Sequence, residues 1–325
     1  TSYTALVPDM QASSVKYRVW LLDNTDDEIL KTIDEEIDIN IELSDIYDKS
    51  MSAGWNWFSL NMTNTDMSVN NILSSLEASL VDFDYIKSQG GYADYFEGFG
   101  WFGTLETFDN VNMYKIDISN PGNVTFEGVP VDVLSTPLNL PAGWHWIPYL
   151  PQESMDINTA LASHVSTGLD FDYIKSQGGY ADYFEGFGWF GTLGTLDPRV
   201  GYMFNIQNPA TIIYPESGAV SSSSNNENLS RDLEEFNYKD YEFNGSVTIG
   251  LDLNDITPQT GDKIRAYHNE ELRGVAEGVI CPINEELVFL MMLYANDQGE
   301  ELTFRYYDAS DKETDLLETI TFVPD

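Results

Sequence analysis

Paired carboxylates are the residues in this 325-residue chain whose spacing comes closest to known chemistry. Asp82 and Asp84, then Asp94 and Glu97, return later as Asp170 and Asp172, then Asp182 and Glu185. A glycosidase holds two such carboxyl groups about 5 to 9.5 Å apart on either side of a sugar ring. With 54 Asp and Glu in the chain, however, neighbouring carboxylates arise by chance, and solvated strand edges account for them. The three histidines add no stronger candidate. His164 occupies the position that Leu76 takes in an earlier copy of the segment and is expected at a core edge. His145 replaces Asn56 on the polar side of a strand, and His268 falls at a hairpin turn. No phosphate loop, HExxH helix, GxSxG elbow or EF-hand loop appears. The chain reads as non-enzymatic.

Aromatic residues crowd the same stretches. Tyr92, Tyr95 and Trp101, mirrored by Tyr180, Tyr183 and Trp189, are the candidates for a flat platform that stacks on sugar rings or on a neighbouring protein. On alternating strands about half of such side chains must face inward, so a core role competes with the platform. Calcium is the cation that oxygen-rich acidic loops would take, and Asp252, Asn254, Asp255 and Asp262 form the candidate set. A solvated acidic surface is the plainer reading of these loops. Asn-x-Ser/Thr sequons begin at Asn61, Asn123, Asn228 and Asn244, and a glycosylated acceptor of this kind belongs on an exposed loop.

Fifteen Lys and Arg give a net charge of −39, which argues against nucleic-acid binding and against docking on anionic lipid. A single cysteine, Cys281, forms no internal disulfide, and no Cys/His set has zinc spacing. No apolar run approaches the roughly 20 residues that cross a bilayer as a helix. The chain opens at Thr1 and is expected to be a processed chain or a fragment.

The elements that carry these residues follow from internal repetition. The string DFDYIKSQGGYADYFEGFGWFGTL occurs unchanged at Asp82 to Leu105 and at Asp170 to Leu193. GWNW at Gly54 answers GWHW at Gly143, and Asn120-Pro121 answers Asn208-Pro209. In each copy the GW motif reads as a strand. Apolar residues at helical spacing follow it: Met67, Val69, Ile72, Leu73, Leu76 and Leu80, with Asp66 as cap, then Met155, Ile157, Ala160 and Leu161, with Ser154 as cap. They predict one helix of three to four turns per module, laid on an antiparallel sheet. A fainter repeat aligns Leu6 to Ile33 on Leu293 to Ile320, so the N-terminus reads as the second half of a domain whose full copy closes the chain. In that last domain, six short strands separated by turns predict an antiparallel β-sandwich, with LVFLMMLY buried on both faces.

The expected fold is therefore β-rich and multi-domain: two tandem α+β modules flanked by a partial and a complete β-sandwich. The boundaries are 1–50 for the partial sandwich or a strand-donating segment, 51–135 and 136–216 for the modules, 217–232 for a Ser/Asn-rich linker and 233–325 for the sandwich.

GWNW, the helix, DYIKSQ, the YFxGxGWxGTL run and GYM together resemble tandem GW-type modules of large Bacteroidota-type surface or secreted proteins. The closing stretch, with GDKIRAYHNEELRGVAEG and ELTFRYYDAS, is similar to the β-sandwich modules that accompany such repeats. The resemblance covers nearly the whole chain. It implies an extracellular or cell-surface, non-catalytic structural or adhesive protein, a unit of an array or filament built by strand pairing. Its expected partners are copies of itself or neighbouring modules. A carbohydrate-binding module that uses exposed Tyr and Trp platforms is the alternative. The first module departs from the pattern with FDNVNMYK where the second has LDPRVGYMF, which puts identical ligand binding by the two copies in doubt.

Overall fold

The computed structural model describes residues 15–22, 29–39, 44–216, 236–252 and 257–323. The expected linker, the sequon at Asn228 and the loop residues Asn254 and Asp255 lie outside them. Two compact units result, residues 1–45 and 46–325. The described residues are mostly antiparallel strand, in several separate sheets, as the alternating patterns predict.

In the first unit β1 (Val15–Leu22) pairs with β2 (Ile29–Ile39), and Val19 faces Ile33. The gapless repeat would place Tyr306 opposite Ile320. Tyr306 instead faces Thr314, and Ile320 faces Leu302. A hairpin recurs, but its register does not. The cause lies at Asp308, whose Oδ1 accepts the Ser310 and Lys312 amides and sets an early, tight turn. Leu21 stands at the corresponding N-terminal position and can form no such turn.

The first module comprises β3 (Asp45–Met51), β4 (Gly54–Ser59), β5 (Met62–Thr63), β6 (Tyr85–Lys87), β7 (Tyr92–Phe96), β8 (Gly100–Gly103), β9 (Met113–Ile118) and β10 (Gly122–Pro130). Five strands form one sheet in the order β4-β9-β6-β7-β8, and β3-β10-β5 form a smaller one. The second module repeats the large sheet. It comprises β11 (Leu138–Leu140), β12 (Gly143–Pro148), β13 (Met155–Asp156), β14 (Tyr173–Lys175), β15 (Tyr180–Phe184), β16 (Gly188–Gly191), β17 (Thr195–Leu196), β18 (Gly201–Ile206) and β19 (Ala210–Ile212), with large-sheet order β12-β18-β14-β15-β16. Two expected boundaries move. β3 pairs within the first module, and Val133 belongs to the core of the second.

The predicted helices are shorter than their apolar spacing suggests. Each is a single turn, α1 (Val69–Ile72) or α2 (Ile157–Ala160), that tightens into a 3-10 stretch. The caps are Ser68 and Asp156, each two residues beyond the expected position. At the break in the first copy Ser74 Oγ donates to Asn71 O, a local bond that competes with the helix ladder, and Ser75 Oγ donates across to Asn123 O; the second copy breaks equally early with Ala162 in place of Ser74. The apolar stripe is nevertheless buried, because Val69, Ile72, Leu73 and Leu76 all enter the module core.

The C-terminal domain is β-sandwich-like. β20 (Phe243–Ile249), β21 (Lys263–His268), β22 (Glu271–Ile280), β23 (Leu287–Ala295), β24 (Glu301–Tyr307) and β25 (Glu313–Thr321) follow the order β20-β23-β22-β21-β24-β25. The first part of β22 pairs with β21 and its end with β23, so one strand links two layers. Gly274 permits the close crossing, since a Cβ there would strike the Met292 carbonyl. β23 is buried on both faces as its sequence predicts. Phe289, Met291, Leu293 and Ala295 fill the domain core, while Val288, Leu290, Met292 and Tyr294 meet the second module.

Candidate functional site: twin sheet faces

Strand alternation divides the duplicated aromatic string between two environments. Ala93 and Tyr95 on β7 and Trp101 on β8 point into the module core, where the Tyr95 and Trp101 rings pair at 5.4 Å. Tyr183 and Trp189 do the same at 5.3 Å. Four of the six platform candidates are therefore core residues of their own module, because the pleat points them inward. The opposite face carries Tyr85, Tyr92, Asp94 and Phe102 in the first copy, and Tyr173, Tyr180, Asp182 and Phe190 in the second.

Those twin faces have different fates. In the second module the C-terminal domain covers the face. Lys175 Nζ donates to Asn244 O at 2.8 Å, Asn244 Nδ2 donates to Ser176 O and Gln177 O, and the Tyr173 hydroxyl meets Ser246 Oγ. Tyr180 is buried beside Val288, Leu290 and Met292. Asp182, Phe184 and Phe190 close a cavity of about 200 Å³ against Cys281, Ile283 and Val288, and desolvation there pushes the Asp182 carboxyl up to about 6. In the first module Tyr92 is 46% and Phe102 54% exposed, whereas Tyr180 is 1% exposed. Phe83 and Phe99 are exposed as well, as are their counterparts Phe171 and Phe187, which the C-terminal domain leaves uncovered.

The modules also pack against each other through reciprocal contacts. Gln89 Nε2 donates to Trp144 O at 2.9 Å, and its counterpart Gln177 Nε2 donates to Trp55 O at 2.7 Å. β4 touches β18 as β12 touches β9. Such reciprocity is the mark of a twofold-related pair, here within one chain. Lys115 seals the join: its Nζ lies 3.9 Å from the Trp57 ring centre and, across the join, 4.6 Å from that of Trp146, while Lys87 lies 4.8 Å from that of Trp55 within the first module. Desolvated contacts of this type contribute about 2 kcal/mol each. Lys87 and Lys175 carried a signal in their scarcity, since only 15 cations occur in so acidic a chain and one falls in each copy of the duplicated YIK strand; Lys115, outside the duplicated string, carried none.

The remaining candidates resolve individually. Asp84 and Asp172 are buried turn formers: Asp84 accepts the Val81 and Ser119 amides, and Asp172 those of Leu169 and Gln207. Asp82 and Asp170 accept the Glu97 and Glu185 amides. His164 is fully buried, with Nε2 at 3.0 Å from Asp172 Oδ2, under Tyr183, Trp189 and Phe204. Among the metal candidates Asp252 is exposed, while Asp262 is buried with its oxygens committed to the Tyr306 hydroxyl and the Gln259 and Ala309 amides. Among the described residues no group of three His, Cys, Asp or Glu is placed to hold a metal. Asn61 and Asn244 are buried and donate to main-chain carbonyls, so neither can carry a glycan in this fold; Asn123 is exposed. No helix among the described residues is long and apolar enough to cross a membrane.

What the fold defines is a β-rich protein whose twin modules and C-terminal domain meet through extended sheet faces. Comparisons with protein-family models, curated proteins and solved structures return no match for the chain.

Proposed function

We propose that this chain is a non-catalytic structural or adhesive repeat protein that acts outside the cell, with other protein modules, including copies of itself, as its partners. The observation that carries this reading is that the same aromatic face engages a protein domain in the second module and faces solvent in the first. A surface that buries Val288, Leu290 and Met292 in one copy has the chemistry for protein contact in the other. The acidic carboxylates support the reading from the other side, because Asp82, Asp84, Asp170 and Asp172 act as acceptors that shape turns. Light scattering and electron microscopy of the native particle test it. Filaments or ordered assemblies lost on Phe102→Ser are expected, and a particle that stays monomeric and binds no surface component at any concentration would overturn it.

Sugar binding is a second reading, favoured by the exposed Tyr92 and Phe102 beside Asp94. A glycan array separates the two: a signal that vanishes in Tyr92→Ala supports a sugar platform, and silence removes it. Trp101→Ala is a poor probe because Trp101 belongs to the core.

A further inference from the structure

Two faces built from the same duplicated string share one occupant. The C-terminal domain, residues 236–323, sits on the second module, but its leading segment also reaches the first. Lys87 pairs with Glu242 and lies 5.7 Å from the Phe243 ring centre, while Lys239 Nζ donates to Ser52 Oγ at 2.8 Å and to Asn56 Oδ1 at 3.1 Å. Lys87 and Lys175 are twins. The start of the domain thus lies between the two seats, where one domain obstructs a second.

We propose that the exposed face of the first module is an alternative seat for the same C-terminal domain, which exchanges between the two positions. Within the duplicated string every contact has its equivalent. Lys87 would take the Asn244 carbonyl, Tyr85 would meet Ser246, and Tyr92, Phe96 and Phe102 would receive the apolar residues now held by Tyr180, Phe184 and Phe190. The bias toward the second module comes from outside the string. After the twofold exchange Lys239 leaves Ser52 and Asn56 and faces Pro141 and His145, which stand at the corresponding positions. Loss of these two hydrogen bonds from a charged donor at a partly exposed site shifts such an equilibrium about tenfold.

Cys281 is the single cysteine and lines the seat beside Phe184, which makes it the reporter. Phe184→Cys and its twin Phe96→Cys are prepared separately in the full chain, oxidised with copper-phenanthroline and mapped by peptide mass. The 184–281 disulfide is expected to form readily. The intrachain 96–281 disulfide is expected to form more slowly, to accelerate about tenfold when Lys239→Ala is added, and to be lost when Tyr92→Ser is added. Tyr92→Ser should leave the 184–281 product unchanged, which reports that the fold and the occupied seat persist. The proposal is overturned if 184–281 forms and intrachain 96–281 does not, if 96–281 links only different chains, or if Tyr92→Ser leaves its formation undiminished.

Discussion

His164 and Asp182 carry opposite pH signatures, and each has an internal control in the twin module. Burial lowers the His164 pKa, against the pull of Asp172, so the folded state resists a proton that the unfolded chain accepts. The stability it contributes is present above the unfolded pKa of about 6.5 and is lost as pH falls below it. His164→Leu, which installs the residue of the first module, is expected to remove an acid-sensitive unfolding step at pH 5–6.5 and to change stability by less than about 1.5 kcal/mol at pH 7.5. Thermal melts across pH check this; equal acid sensitivity in both proteins would refute it. Asp182 behaves in the reverse sense. Its folded pKa of about 6 lies above the ordinary carboxylate value of 3.8, so its contribution is complete below 3.8 and disappears as pH rises through about 6. Asp182→Asn should therefore strengthen domain docking at pH 7.5 and have progressively less effect below pH 5, whereas Asp94→Asn, on the face that no domain covers, should leave docking unchanged. The two carboxylates have identical local sequence, so their difference could not be read from it. His164 was expected at a core edge because it aligns with Leu76, a comparison the repeat itself supplies, and it lies deeper than that, fully buried.

At the scale of elements, the join between modules depends on a size difference within an otherwise paired arrangement. Met113 begins β9, and Gly201 begins its counterpart β18. A Cβ on Gly201 would approach the Met113 Cβ to 2.6 Å and the Phe58 carbonyl to 2.9 Å, so the first module's methionine needs the second module's glycine. Gly201→Ala is expected to lower stability by about 1–3 kcal/mol through overpacking, measured by denaturant unfolding. In a double-mutant cycle with Met113→Gly, which removes the obstructing Cβ, the cost of Gly201→Ala should fall; an undiminished cost would show that the two residues do not share the contact. Most strands were legible, since period-two alternation and glycine turns mark them locally. The helices were overextended because apolar spacing registers burial and is silent about where an α turn gives way to a 3-10 stretch, which happens after one turn both where Ser74 takes the Asn71 carbonyl and where Ala162 stands in its place.

Across the whole molecule, a net charge of −39 opposes compaction through self-repulsion that salt screens. The melting temperature is expected to rise by several degrees between 10 mM and 500 mM NaCl, and a flat response would indicate that bound cations already neutralise the surface. The domain boundaries were only partly legible. Residues 46–325 form one compact unit, because sheet faces assigned to separate modules are consumed by contacts between them. The N-terminal hairpin was foreseen as strand structure, but its register was not, since a turn such as that at Asp308 outweighs a repeat in the flanking residues.

The amino-acid sequence alone determined the duplication, the antiparallel strands and the doubly buried β23, all of which follow from local period and repetition, whereas Tyr95 and Trp101, read as platform candidates, turn inward. Only the tertiary structure decided that Tyr180 is covered while Tyr92 is exposed, that Lys115 lies between two tryptophans, and that Asn61 and Asn244 are interior. Identical strings carry identical local information. What separates their fates is a partner surface supplied from elsewhere in the chain, and one C-terminal domain covers only one of two equal faces.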